Sequence, residues 1–151
     1  MSAVEDAADE IESRCLGTRI RVLDRTLSTL FDRHLRPLGI RITQLTLLTA
    51  ISQMGETGPR ELVQRLRLEK STVSRTIDRL IDLGWITTTA ADDGRSYRIK
   101  LTRKGRNKLV EAHPAWQRAQ AEAERMLGAS HVSAIRKVGD AVGGKTRGQK
   151  R

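Results

Sequence analysis

The chain has 151 residues, with 28 Lys+Arg against 18 Asp+Glu and a formal charge of +10. That length fits one domain able to bury a real core. The charge points to a polyanionic partner (nucleic acid, an anionic membrane surface or an acidic protein), although solubility alone also accounts for it. The single cysteine, Cys15, excludes an intrachain disulfide framework and a cysteine-rich zinc site. An aromatic content of 3% argues against a domain that stacks single-stranded bases. No apolar run approaches the roughly 18 residues of a membrane span. The acidic start Met1-Ser2-Ala3-Val4-Glu5-Asp6 lacks the pattern of a secretory signal, so the expected localisation is cytoplasmic, with no membrane partner.

The spacing of Leu16, Ile20, Leu23, Leu27, Leu30 and Phe31 predicts one long helix from about Asp6 to His34, ended by Pro37 and Gly39. Such a helix carries more apolar surface than one small domain covers, so part of it should pack on a second subunit. Thr43 is the expected cap of the next helix, whose Leu45, Leu47, Leu48 and Ile51 are apolar and which Gly55 ends. Gly58-Pro59 opens a short helix that buries Leu62, Val63 and Leu66. After a break at Arg67-Leu68-Glu69, the following helix sets Val73, Ile77, Leu80 and Ile81 on a core side. Ser71, Thr72, Arg75 and Arg79 lie on the other. Two short helices with a tight turn, the second polar on its outer face, form a helix-turn-helix.

Gly84 stops that helix and the period changes to two. Ile86, Thr88 and Ala90 alternate with Trp85, Thr87 and Thr89; Tyr97, Ile99 and Leu101 alternate with Ser96, Arg98 and Lys100. With Ala91-Asp92-Asp93-Gly94 as the turn, this is a basic two-stranded wing. Thr102 is positioned to cap a helix over Arg103 to about His113, and Pro114 predicts a kink or restart before the pattern continues through Trp116, Ala119, Ala123, Met126 and Leu127. Ser130 is the expected cap of a last helix holding Val132, Ile135 and Val138, and the basic tail 143–151 is expected to be disordered.

The exposed side of the helix after the tight turn suits a DNA major groove. Arg75 can fork onto a guanine edge, and the short hydroxyls can bond base edges or phosphates. Arg79, farther from the helix start, suits a phosphate. Arg98 and Lys100 either hold phosphates or face water. Asp78 and Asp82 should pair with arginines on neighbouring turns, and Trp85 should pack between hairpin and helices. His34, His113 and His131 are scattered, so no metal site or cofactor is expected. No phosphate loop, nucleophile elbow or Cys/His pairing suggests an enzyme.

At this point the chain resembles the MarR family of bacterial winged-helix regulators. The resemblance is carried by Leu35-Arg36-Pro37-Leu38-Gly39-Ile40 with Thr43-Gln44, by Lys70-Ser71-Thr72-Val73-Ser74-Arg75, by Leu83-Gly84-Trp85-Ile86, and by Asp93-Gly94-Arg95 followed by Leu101-Thr102-Arg103-Lys104-Gly105. It implies a mainly α fold with a small β-hairpin wing, and a dimerisation region made by the N- and C-terminal helices. The implied divisions are a dimerisation helix (1–36), a winged helix-turn-helix (37–102), dimerisation helices (103–142) and the tail. It further implies that Ser71, Thr72, Ser74 and Arg75 front a recognition helix. At the wing, Asp93 would hold Arg95 in shape for a minor groove. The family's small aromatic or phenolic ligands bind near the region of Trp116, for which core or interface packing is the alternative. Cys15 is a candidate redox residue with plain helix packing as the alternative, since the chain's one tyrosine, Tyr97, lies in the wing.

The function expected from these features is a homodimeric regulator that binds double-stranded DNA sequence-specifically, most often as a ligand-responsive repressor. The alternatives are a non-specific architectural DNA-binding protein, driven by charge and tail, and a winged helix that binds only protein.

Overall fold

A computed structural model describes residues 2–143; the basic tail expected at 143–151 otherwise lies outside the described residues. The elements in chain order are helices α1 (Ala3–Arg14) and α2 (Leu16–Leu35), a 3-10 turn (Arg36–Leu38), α3 (Ile42–Met54), α4 (Pro59–Leu66) and α5 (Lys70–Asp82). Strands β1 (Ile86–Ala90) and β2 (Tyr97–Leu101) and helices α6 (Arg103–Leu127) and α7 (Ala129–Gly143) follow. The fold is thus mainly helical, with one small antiparallel hairpin.

The predicted long first helix is in fact two. At Cys15 the backbone turns extended (φ −68°, ψ 109°), and the thiol sulfur accepts a hydrogen bond from the Thr18 amide at 3.4 Å, capping α2. The Arg19 guanidinium reaches back to donate to the carbonyls of Glu12, Ser13 and Cys15 at 3.3, 2.6 and 3.2 Å. It thereby satisfies acceptors that the end of α1 leaves without helical partners.

Two further helix starts differ from expectation. α3 begins at Ile42, before Thr43, because Asp32 on α2 accepts from the Ile42 amide at 2.7 Å and the Gln44 side chain accepts from the Arg41 amide at 2.9 Å. A cap supplied by another helix leaves no local signature. α7 begins at Ala129, before Ser130, with the Val132 amide bonded to the Gly128 carbonyl at 3.0 Å. α6 passes through Pro114 without restarting. Pro114 and Val110, whose carbonyl would have accepted the missing N–H, are both exposed, so water can serve that oxygen.

The main core gathers Leu35, Ile40, Leu47, Leu48, Ile51, Leu62, Val73, Ile77, Leu80, Ile86 and Ile99 from α2 through β2. Ile81 is not part of it: at the edge of the α5 stripe, it is 41% exposed. A buried threonine adds a link that periodicity did not show. Thr57, in the turn before α4, exchanges backbone hydrogen bonds with Ile99 at 3.0 and 2.7 Å, tying the wing to the helix-turn-helix. The His34 ring and Arg33 of α2 both bind Glu122 of α6, the His34 contact at 2.6 Å. Together they hold the carboxyl of Glu122 below the usual range, the His34 hydrogen bond contributing most.

Candidate nucleic-acid interface

α5 is positioned by its apolar stripe. Val73, Ile77 and Leu80 are fully buried, so the opposite surface is forced outward. Ser71, Ser74, Arg75 and Arg79 are exposed there, with Thr72 half-buried at the margin. The turn before it relies on Arg67, a non-glycine residue in the left-handed region (φ +53°) whose amide closes α4 on the Val63 carbonyl at 2.9 Å. Among the described residues, neither Asp78 nor Asp82 forms the expected ion pair within 4.0 Å. Each acid has its arginine three residues N-terminal, the less favourable order along a helix. Arg75 and Arg79 consequently stand without a carboxylate on them.

The two predicted strands pair antiparallel, Ile86 opposite Leu101 and Ala90 opposite Tyr97. At its tip one Asp93 oxygen accepts from the amides of Arg95 and Ser96, both at 3.0 Å, and from the Ser96 hydroxyl at 2.9 Å. These bonds hold the Asp93 carboxyl below its ordinary range, the Arg95 amide contributing most. Asp93 therefore shapes the backbone that carries Arg95, while the exposed Arg95 side chain is left outward.

Arg98 is bonded within the protein rather than simply facing water. Its guanidinium donates to Glu61 on α4 at 2.6 Å and to the Glu56 carbonyl at 2.7 Å, bracing the tip half of the wing, where Arg98 pairs with Thr89. Glu61 also accepts from the Thr57 hydroxyl at 2.9 Å. The Arg98 hydrogen bond, then that of Thr57, holds the Glu61 carboxyl below the usual carboxylate range. Lys100 remains exposed on the same strand.

Thr102 fixes the other end of the wing. Its hydroxyl accepts from the Gly105 amide at 3.0 Å and donates to the Gly84 carbonyl at 2.7 Å, and its own amide donates to the Trp85 carbonyl at 3.1 Å. Trp85 is buried as packing between hairpin and helices, with the Lys108 ammonium 5.5 Å from its ring centroid. Gly105 matters more than the sequence suggested: a Cβ there would lie 1.9 Å from the Trp85 carbonyl oxygen. Only glycine lets α6 approach the wing root so closely. A glycine in the first turn of a helix was the available signal.

Trp116 is half-buried and stacks on His113, with ring centroids 5.9 Å apart and planes 13° from parallel. Both line a groove of about 830 Å³ between α3, α4 and α6, with Leu45, Ala50, Leu66 and Leu109 among its apolar walls. Cys15 is a half-buried free thiol. Its pKa is lowered, mainly through the hydrogen bonds with Thr18. No cluster of His, Cys, Asp or Glu able to hold a metal occurs among the described residues, and no described helix is long and apolar enough to cross a membrane.

A family-wide sequence profile described as MarR family matches residues 38–96, which run from the end of the 3-10 turn through the wing tip. The multiple antibiotic resistance protein MarR of Salmonella typhimurium is 31% identical over 114 residues, covering 75% of this chain and 78% of that protein. A mutant MarR from Escherichia coli, solved in complex with operator DNA, superposes with a TM-score of 0.76 at 25% identity, covering 88% of this chain and 96% of the other. The Mycobacterium tuberculosis transcriptional regulator MOSR, solved in complex with DNA, gives a TM-score of 0.73 at 34% identity, covering 85% and 96%. With the recognition-helix geometry, the wing and these likenesses in agreement, the chain belongs to the MarR family of winged-helix transcriptional regulators, DNA-binding proteins rather than enzymes.

Proposed function

We propose that the chain acts as a homodimer that reads a near-palindromic operator in double-stranded DNA, as a repressor released by a small aromatic ligand. The observation that carries the DNA reading is the exposed Ser71, Ser74, Arg75 and Arg79 face of α5, whose arginines have no carboxylate within 4.0 Å among the described residues, beside a wing whose tip presents Arg95. In this reading Ser71, Thr72, Ser74 and Arg75 meet base edges in the major groove and Arg79 and Lys100 meet phosphates. Arg95 enters the flanking minor groove on the turn that Asp93 holds.

The homodimer is supported by apolar side chains that one copy leaves in water. Ile11, Leu16, Ile20 and Val22 on α1 and α2, and Val138 and Val142 on α7, are each more than 60% exposed. A second copy would cover them. The regulatory part is supported by the groove at Trp116 and His113, which lies between α6 and the helix-turn-helix. An occupant there would bias the separation of the two winged lobes, and operator binding depends on both fitting at once. Cys15 has no such geometric argument and is assigned a capping role.

Selection of bound fragments from random duplexes, with bulk genomic DNA as competitor at physiological salt, tests the reading. Enrichment of one inverted repeat is expected. Retention of unrelated duplexes with equal affinity would replace it by architectural binding. Quenching of tryptophan fluorescence by phenolic acids, lost in Trp116→Phe, tests the ligand site.

A further inference from the structure

A recess of about 690 Å³ lies where the 3-10 turn, the start of α3 and α5 meet, and no wing residue lines it. It is lined by Arg36 at the 3-10 turn, Arg41 before α3 and Arg79 of α5, together with Thr29, Asp32 and Gln44. All three arginines are exposed. Among the described residues no carboxylate lies within 4.0 Å of any of their guanidinium groups. Asp32, the one acid in the wall, has an oxygen committed to the Ile42 amide at 2.7 Å. The same bond removes that amide as an anion ligand, so the side chains, rather than the start of α3, make the site.

Three like charges from three separate elements around one polar recess concentrate anions there. Guanidinium groups match phosphate geometry with paired N–H donors. The recess also continues the proposed DNA face, because Arg79 stands one helical turn beyond Arg75. We infer that Arg36, Arg41 and Arg79 form a seat for a phosphodiester of the DNA backbone, gripping the duplex at a point separate from the wing. This inference rests on the DNA-reading assignment above. It adds to it a second backbone anchor for each α5.

The test is the salt dependence of binding by full-length Arg36→Gln/Arg41→Gln, compared with wild type, with Arg36→Lys/Arg41→Lys, and with a charge-matched control on the distant α6 and α7, Arg125→Gln/Lys137→Gln. Each phosphate released lowers the slope of log K against log salt by about 0.9. One seat per subunit therefore lowers it by roughly 1.8 per bound dimer. Between 50 and 200 mM salt the variant's affinity should change about tenfold less than that of wild type. The loss should be equal on the selected operator and on an unrelated duplex, while the lysine variant and the control keep most of the wild-type slope.

A glutamine variant that unfolds at the wild-type temperature yet keeps the wild-type slope would overturn the seat. So would a fall in slope of the same size in the distant control. Inorganic phosphate that stabilises wild type but not the glutamine variant, with the DNA slope unchanged, would assign the recess to a free anion instead. Failure of the underlying reading looks different: wild type would then lack operator preference, and the slope comparison would still stand on the unrelated duplex.

Discussion

Replacing Gly105 by alanine sets two effects of opposite sign against each other. In an exposed helix interior the change would stabilise by about 1 kcal/mol, because alanine is the better helix former. Here the new Cβ would stand 1.9 Å from the Trp85 carbonyl oxygen and 2.8 Å from its carbon. A carbon–oxygen contact is ordinary only beyond about 3.3 Å, so α6 and the wing root must separate by more than an ångström. The obstacle is backbone and cannot rotate away. That carbonyl also accepts from the Thr102 amide at 3.1 Å, a bond that the displacement strains. Overpacking costs about 1–3 kcal/mol, and a weakened hydrogen bond about 1 more. Steric cost therefore wins, leaving a net loss of about 1–3 kcal/mol. For a chain of this size that corresponds to a melting temperature lower by about 3–10 °C. Thermal and urea unfolding followed by circular dichroism measure it. Gly139→Ala on α7 is the control: nothing lies within 4 Å of its added Cβ, so propensity acts alone and the melting temperature should rise slightly. If Gly105→Ala proved as stabilising as Gly139→Ala, the close approach that orients the wing would be refuted.

Glu61→Gln removes a negative charge near the DNA face, which simple electrostatics says should tighten binding. Because Glu61 holds Arg98 and with it the tip half of the wing, operator affinity should fall instead, by up to about fivefold (roughly 0.2–1 kcal/mol, the value of an exposed pair); tighter binding in a gel shift would favour the phosphate role for Arg98. The brace also has a pH signature. The Glu61 carboxyl is depressed in the folded protein, so its contribution is present above the unfolded value of about 4.3 and is lost as pH falls through the lower folded one. The melting-temperature gap between wild type and Glu61→Gln should be constant from about pH 5.5 to 8 and close below about pH 4, and a gap that closed near neutrality would contradict the assignment. Arg75→Ala should cost about 1–3 kcal/mol on the preferred operator and relax one base position, whereas Arg95→Ala should weaken binding more evenly across sequences. Footprints and competition series that rank the two the other way would exchange their roles.

The hairpin, the tight turn before α5 and the buried stripe of that helix were legible because each is a local pattern. Period two, the break at Arg67-Leu68-Glu69 and the 73/77/80 spacing act over a few residues. What escaped was non-local. Asp32 caps α3 from a neighbouring helix, so Thr43 looked like the cap. Arg19 closes α1 from beyond the break, so the apolar spacing ran through Cys15 as if the helix were continuous. Arg98 looked like a free basic residue on a strand, since nothing in its own segment foretells Glu61 and Glu56 some forty residues earlier. Gly105 reads as a weak helix former until the Trp85 carbonyl is seen against it. At the interface the residue types on α5 were readable in advance. The recess at Arg36, Arg41 and Arg79 required three elements to be brought together in space.

The account stands on two copies of α5 engaging one duplex in fixed relation. Half-sites a helical turn apart lie on one side of the DNA, and five inserted base pairs turn one of them to the opposite side. Affinity for the selected operator and for the same operator with a five-base-pair central insertion is the most direct measurement. The insertion should reduce affinity to that of a duplex carrying a single half-site, and equal binding of the two full operators would contradict a rigid paired reader.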